Sequence, residues 1–279
     1  MGQRVASPDI LVQIHIPKCA GTSVGVWLRN AALDGVISGF RALYPDHVYA
    51  ENEQPVGFHD PRLTAVTTHN IRRFAPISGG RRVHYFTLLR DPVTQFLSAA
   101  RYMLQEREAF GVPSSVGWTP RDIAAWVLDQ PLDAPFRDNN QTNHLAMYVW
   151  CDATAGRCQP EARETWAASD RAAYERERLA IAKDVLRSFL VVGTVERITE
   201  SLELVRRRST AFGLQLPPVE KLGRHNVTAV PVGDRSWIEN DPIGVRLRES
   251  VAVDHELYLF AQQLLDEARR GSATESTAS

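Results

Sequence analysis

Ile10-Leu11-Val12-Gln13-Ile14-His15-Ile16-Pro17-Lys18-Cys19-Ala20-Gly21-Thr22-Ser23 passes from an apolar run, through a polar loop, to the start of a helix. Ile10, Leu11, Val12, Ile14 and Ile16 suit a strand buried on both faces. Pro17 ends the ladder, because it has no N–H to donate. Lys18, Cys19, Ala20, Gly21, Thr22 and Ser23 then supply small side chains, one flexible glycine, one cation and two hydroxyls where a helix from Val24 to Asn30 begins. Amides at such a turn lack intrahelical partners and point outward at the positive end of the helix dipole. A phosphate or sulfonate fits there.

The 279 residues are 44% hydrophobic and 23% charged, which supports one sizeable core. One domain is expected over residues 1–270, and the Ser/Thr/Ala tail at 271–279 is expected to be disordered. Net charge is −1, from 32 basic and 33 acidic side chains. No global field therefore recruits nucleic acid or an anionic membrane, and any anion binding has to be local. The chain lacks both a long apolar run and the charged start, apolar core and cleavage site of a signal peptide. A soluble cytoplasmic protein is expected. The cysteines, Cys19, Cys151 and Cys158, are too few for a disulfide framework. Cys151 and Cys158 are close enough to pair or share a metal, but no His or Cys set stands beside them, so two loop thiols and no metal site are expected.

Residues 31–62 are rich in Gly, Pro, Asp and Asn and read as loops with at most a short helix, a segment suited to shaping a cleft. Leu63 to Thr68 is a short strand ending in His69 and Asn70, and Gly79-Gly80 marks a turn. Val83 to Leu89 is a second clear strand, closed by Arg90-Asp91-Pro92. Asp91 suits an N-cap and Pro92 the first helical turn, with Val93, Phe96, Leu97, Ala100, Met103 and Leu104 on one helix face. Thr119-Pro120 opens another helix, which Pro131 stops. Residues 138–150 read as a helix, 151–160 as a loop and 161–188 as an amphipathic surface helix. Phe189 to Thr194 is a third strong strand, and Ile198 to Phe212 the helix after it, closed by Gly213. Residues 214–237 form a loop, and one last helix runs from Pro242 to Arg269. Strands alternating with helices argue an α/β protein with a central, mainly parallel sheet covered on both faces.

The loop lacks the G-x-x-x-x-G-K-[ST] order of a Walker A sequence, because Lys18 precedes Gly21 and no glycine stands at the earlier position. Arg90 at a strand end and Ser98 in the next helix can converge, since Asp91 to Ser98 spans about 10 Å and returns to nearly the same face. A guanidinium fork plus a hydroxyl makes a phosphate clamp.

Together these segments are more specific. His15 to Ser23 resembles the donor loop of the carbohydrate-type sulfotransferases, the superfamily that includes heparan 2-O-sulfotransferases and bacterial relatives. Leu89-Arg90-Asp91-Pro92 with Phe96, Leu97, Ser98 and Tyr102 resembles their second motif. Weaker likenesses follow in Asn139-Asn140-Gln141-Thr142, in Val192-Gly193 through Arg197 with Ser201-Leu202, and in Arg224-His225-Asn226-Val227-Thr228. The resemblance implies a P-loop-like three-layer fold and the donor 3′-phosphoadenosine 5′-phosphosulfate (PAPS), with its sulfuryl group passed to a hydroxyl on a glycan-type acceptor. It implies that Pro17 to Ser23 hold the 5′-phosphosulfate, with Lys18 also catalytic, that Arg90 and Ser98 hold the 3′-phosphate, and that Arg224 and Asn226 cover the nucleotide.

The family's order of motifs selects His69 as the base among eight histidines, with His15 and His84 read as strand residues and His144 or His225 in reserve. Cys19 departs from the threonine usual in the family's loop, and a reactive thiol at a helix start is the other reading of it. Asn143 stands where arginine is frequent. The pairs Arg72-Arg73 and Arg81-Arg82 read as solvated faces, or as contacts for an acidic acceptor. Two rival functions remain open at this level: a magnesium-dependent kinase or other P-loop nucleotide enzyme using Thr22 or Ser23 with Asp91, and a non-catalytic nucleotide- or sulfoglycan-binding module.

Overall fold

The apolar run of residues 10–14 becomes the middle strand of the sheet in the computed structural model, which describes residues 9–43, 62–69, 81–113, 117–131, 136–146, 151–152, 157–158, 170–223 and 235–277. This strand is β1 (Ile10–Ile14), buried at every position. It is followed by α1 (Gly21–Leu33), β2 (Phe40–Leu43), β3 (Ala65–Thr68), β4 (Val83–Leu89) and α2 (Pro92–Gln105). Then come α3 (Pro120–Leu128), α4 (Asn140–Ala146), and the short strands β5 (Cys151–Asp152) and β6 (Arg157–Cys158). The chain continues through α5 (Arg171–Arg187), β7 (Val191–Thr194), α6 (Ile198–Ser209), α7 (Trp237–Asn240), α8 (Pro242–Ser250) and α9 (Ala252–Thr277).

Five strands form one parallel sheet in the order β2-β3-β1-β4-β7. In its register Val12 stands between Val66 and Tyr85. Alternation along β1 fills both faces. Ile10, Val12 and Ile14 pack with Leu179 and Val185 of α5 and with Leu257 and Ala261 of α9. Leu11 points the other way, to Trp27 and Leu28 of α1 and to Leu202 and Val205 of α6. The result is a three-layer α/β fold, in which each fully buried Leu or Ile contributes about 1.5–3 kcal/mol of transfer free energy. A third cluster joins α2, α3 and α8 through Phe96, Met103, Ile123, Val127 and Leu247.

Helix starts follow the sequence closely. The Asp91 carboxylate accepts from the Thr94 amide at 2.8 Å with Pro92 in the first turn, and Thr119 and Asp122 form a capping box at α3. Gly213 closes the turn after α6 at φ 81°, a left-handed backbone that glycine adopts without steric cost.

Four segments depart from expectation. Phe40–Leu43 is an edge strand pairing with β3. Residues 151–158, read as a loop, carry an antiparallel pair with Cys151 opposite Cys158. The single helix expected from Pro242 to Arg269 is two helices, parted at Val251. The break is stitched to the start of α4, because the Asn139 amide donates to the Ser250 carbonyl at 3.1 Å and the Asn139 side-chain carbonyl accepts from the Asp254 amide at 3.1 Å. Lastly, α9 runs through Thr277, past Gly271, where composition predicts a disordered tail. Once the packed turns of a helix exist, each further residue adds a hydrogen bond without a new nucleation cost. No helix among the described residues is long and apolar enough to cross a membrane.

This topology places a crevice. The chain leaves β1 toward β2 and β3 but leaves β4 toward β7 on the other side. Between the carboxyl ends of β1 and β4 the connections diverge, which is where open α/β sheets bind ligands.

Candidate functional site

The first wall of the crevice is the turn between β1 and α1. Lys18 and Ala20 both have left-handed backbones, at φ 65° and 60°, a conformation that costs a non-glycine residue about 1–2 kcal/mol. Such residues turn successive amides into one concavity. Ala20 offers no side-chain cap, and the first turn of α1 holds no acidic residue. The start of this helix is thus without a capping side chain from Ala20 and without a carboxylate of its own. Gly21 is required for a different reason: a Cβ there would lie 1.6 Å from His15 Cδ2, so the His15 ring occupies the space a side chain would take.

The second wall is the turn after β4. The Arg90 Nη1 donates to the Lys18 carbonyl at 3.1 Å, which ties the two turns together. Its Nε is buried and has no hydrogen-bond partner among the described residues, leaving a donor for a ligand. Arg90's backbone is held by one side chain, as the Gln141 Oε1 accepts from the Arg90 amide at 2.9 Å and the Gln141 Nε2 donates to the Arg90 carbonyl at 2.8 Å. Gln95 donates to the Pro17 carbonyl at 2.9 Å. Glu196, after β7, accepts from the Asp91 amide at 3.1 Å and from the Tyr258 hydroxyl at 3.0 Å.

Gln141 is fixed in turn by α9. The Asp254 carboxylate accepts from the amides of Gln141 at 2.9 Å and Thr142 at 2.7 Å, while Asn139 caps the start of α9. The two helices cap each other. Burial raises the Asp254 carboxyl to about 6, against the lowering effect of the Thr142 and Gln141 bonds.

Both turns open into one cavity of about 990 Å³. Its lining brings together Pro17, Lys18, Ala20, Gly21, Thr22 and Ser23 from the first turn, Arg90 and Ser98 from the second, and His69 from the end of β3. Cys19 is the exception. Its side chain is buried and its thiol donates to the Gln141 Oε1 at 3.6 Å, and Cys19 is absent from the cavity lining. Burial pushes the thiol well above its usual range, which removes the reading of Cys19 as a reactive nucleophile. Arg224, Asn226 and His225 lie outside the described residues, as do Arg72 and Arg73. Leu222 and Gly223, the last described residues before Arg224, line the cavity.

Arg81 and Arg82 sit at the opposite end of β4 from the cavity. Arg81 donates to the Leu63 carbonyl, and Arg82 and His84 pair with Asp9 at 3.0 and 2.9 Å. Neither they nor His84 can serve the site. Asp91 faces its own helix and is absent from the cavity lining.

Tyr102 belongs to the cavity through a contact that the motif alone does not reveal: Lys18 Nζ lies 4.1 Å from its ring centroid. Its place one turn beyond Ser98 puts it on the same helix face. Val195, Ile198, Val219 and Leu222 add an apolar wall; Val195 falls in a stretch the sequence singles out, but nothing local marks the four as one surface.

The electrostatics are those of a cation-rich cleft. Burial, then the Arg90 and Arg101 guanidinium groups, lower Lys18 to about 8. Arg101 is itself held down by burial and by Arg235 and Arg90. Burial also keeps three imidazoles neutral, with His15 near 2 and His144 near 3, and His69 below its ordinary value. His69 can therefore accept a proton at neutral pH, whereas Lys18 readily regains full charge beside an anion. Compared with known proteins, the chain matches no protein-family model, and a search of curated proteins finds no match.

Proposed function

We propose that the protein is a PAPS-dependent sulfotransferase that passes a sulfuryl group to an acceptor hydroxyl on a carbohydrate or glycosylated molecule. The observation carrying this is the convergence, in one cavity, of two anion grips of different kinds: an uncapped helix start with Lys18, and Arg90 with Ser98. A donor with phosphosulfate at one end and a 3′-phosphate at the other needs both. The buried Nε of Arg90, unpartnered among the described residues, and the start of α1 without a side-chain cap fit such a group.

In this reading Lys18 and the Ala20 to Ser23 amides hold the phosphosulfate, and Arg90 and Ser98 hold the 3′-phosphate. The apolar side chains of Val195, Ile198, Val219 and Leu222 suit the face of a purine. When bound, the donor supplies an activated sulfuryl group, whose transfer needs positioning and charge stabilisation much as phosphoryl transfer does. Lys18 places positive charge where negative charge develops. His69, kept neutral by burial, takes the proton of the attacking hydroxyl. A magnesium-dependent enzyme would need Asp91 beside Thr22 and Ser23, but Asp91 is spent on capping α2.

The test is thermal unfolding with 3′-phosphoadenosine 5′-phosphate (PAP), followed by labelled PAPS and cell-derived glycans. PAP is expected to raise the melting temperature, and labelled PAPS to transfer its sulfuryl group in a chelator-insensitive, His69-dependent reaction. Absence of a shift at millimolar PAP would reject the donor assignment. Transfer unaffected by His69→Ala would reject the base.

A further inference from the structure

We infer that His15 and His144 are positioning residues that hold His69 as a single neutral tautomer at the cavity wall, an inference that rests on the role of His69 as the base. Three imidazoles, from β1's end, β3's end and α4, meet in one place. The His15 and His69 ring centroids are 4.0 Å apart, with the rings tilted by 32°. The His15 ring also fills the space beside Gly21, where a Cβ would lie 1.6 Å from its Cδ2, so it touches both the anion loop and the base.

Hydrogen bonds complete the frame. The His69 ring bonds to the His15 backbone, in the sense that favours a protonated ring nitrogen. A ring nitrogen that carries a proton toward a carbonyl leaves the other with the lone pair, which sets the tautomer. The His144 ring makes the same kind of bond to the His69 backbone. It thereby fixes the chain just beyond Thr68, where the parallel ladder ends. Lys18, acting on His15 from the loop, adds a cation to this surrounding.

His144 does not stand alone. It lies on α4, the helix whose Gln141 grips Arg90 and whose first amides are taken by Asp254. One short helix thus sets both the base and the Arg90 donor grip. A base placed to within a fraction of an ångström is worth far more than one merely nearby.

The test is nitrogen NMR of the ring in the full chain with PAP present, comparing the natural protein with His144→Phe, His144→Asn and His144→Gln. His69 is expected to show one neutral tautomer from pH 6.5 to 8. In His144→Phe that signature should give way to a mixture titrating at higher pH, and at least one of the amide variants, which keep a donor, should restore it. Averaged tautomers in the natural protein, or an unchanged His69 signal in His144→Phe, would overturn the inference. If His144→Phe fails to fold, the first of these measurements still decides. A locked His69 in a protein whose melting point PAP does not raise would instead reject the donor assignment and leave the frame standing.

Discussion

Two helices begin side by side at the carboxyl ends of neighbouring strands, and they begin in opposite ways. At α2 the Asp91 carboxylate takes the Thr94 amide, and Pro92 removes another orphan donor. At α1 there is no cap, no acidic residue in the first turn, and a left-handed Ala20 where a capping side chain would sit. The closed helix start contributes side chains to the cavity, Arg90 and Ser98. The open one contributes amides. A helix start that forgoes a cap forfeits about 1 kcal/mol, and two left-handed residues precede this one, so the opening is retained at the expense of stability.

Making α1 resemble α2 should break the comparison most severely. Ala20→Asp places a carboxylate at an N-cap position that tolerates a left-handed aspartate. Melting temperature without ligand should hold or rise, while PAP affinity should fall by about 100-fold or more, because the new charge occupies the site and repels the ligand. Unchanged affinity by calorimetry would mean that the α1 amides do not bind the anion. Arg90→Ala attacks the other partner. Loss of a charge-assisted hydrogen bond worth about 1.5–3 kcal/mol predicts a drop of roughly 10- to 100-fold, with the unliganded protein slightly less stable because the bond to the Lys18 carbonyl is also lost. A deficit confined to stability would sink the assignment of Arg90 to the ligand.

The two helix starts also differ in how plainly the sequence announces them. Asp91-Pro92 is a local signal, and so is the both-faces-apolar run of β1, because each states its requirement within a few residues. That Arg90 and Ser98 can meet was legible for the same reason, whereas Lys18, 72 residues from Arg90, joined them only through the resemblance of two separate motifs. The roles of Gln141 and Asp254 were not legible, since their partners stand 51 and 113 residues away in the chain; Gln141 lies in a stretch the sequence singles out, but nothing in that stretch points to Arg90, and Asp254 belongs to no local pattern. The break at Val251 was hidden because the apolar period continues through it, and its cause is Asn139. The edge strand β2 was hidden because an exposed Arg41 and a neighbouring Gly39 resemble loop. Cys19, out of place beside a motif that favours threonine, becomes intelligible once Gln141 is seen: the position faces inward and needs a small donor.

A smaller effect sharpens the comparison through pH. Lys18 at about 8 lies below its ordinary 10.5, so the unfolded chain holds this proton more tightly than the fold does. Stability without ligand should therefore rise as pH goes from 8 toward 10.5. Binding runs the other way. An anion restores the Lys18 charge, so PAP affinity should be flat below about pH 7 and fall above 8, by at most tenfold per pH unit. Calorimetry at pH 8 in buffers of different ionisation enthalpy should show uptake of a fraction of a proton. Lys18→Arg should abolish the uptake, because a guanidinium stays charged. Uptake that survives the substitution would assign the proton to another group.

The smallest effect is expected at Cys19, where the open loop meets the core. Its thiol is buried and bonded to Gln141, so Cys19→Ser replaces a weak donor by a stronger one in nearly the same volume. The gain in the hydrogen bond opposes the cost of burying a hydroxyl, and the net change in unfolding free energy should stay within about 1 kcal/mol. PAP affinity should not move, since the residue does not line the cavity. In the native protein a thiol-reactive chromophore should label Cys19 only at the rate of unfolding, because burial keeps the thiol protonated. Fast labelling, or an affinity lost with the sulfur, would place the side chain in the cavity and return the loop to the reading in which this position contacts the anion directly.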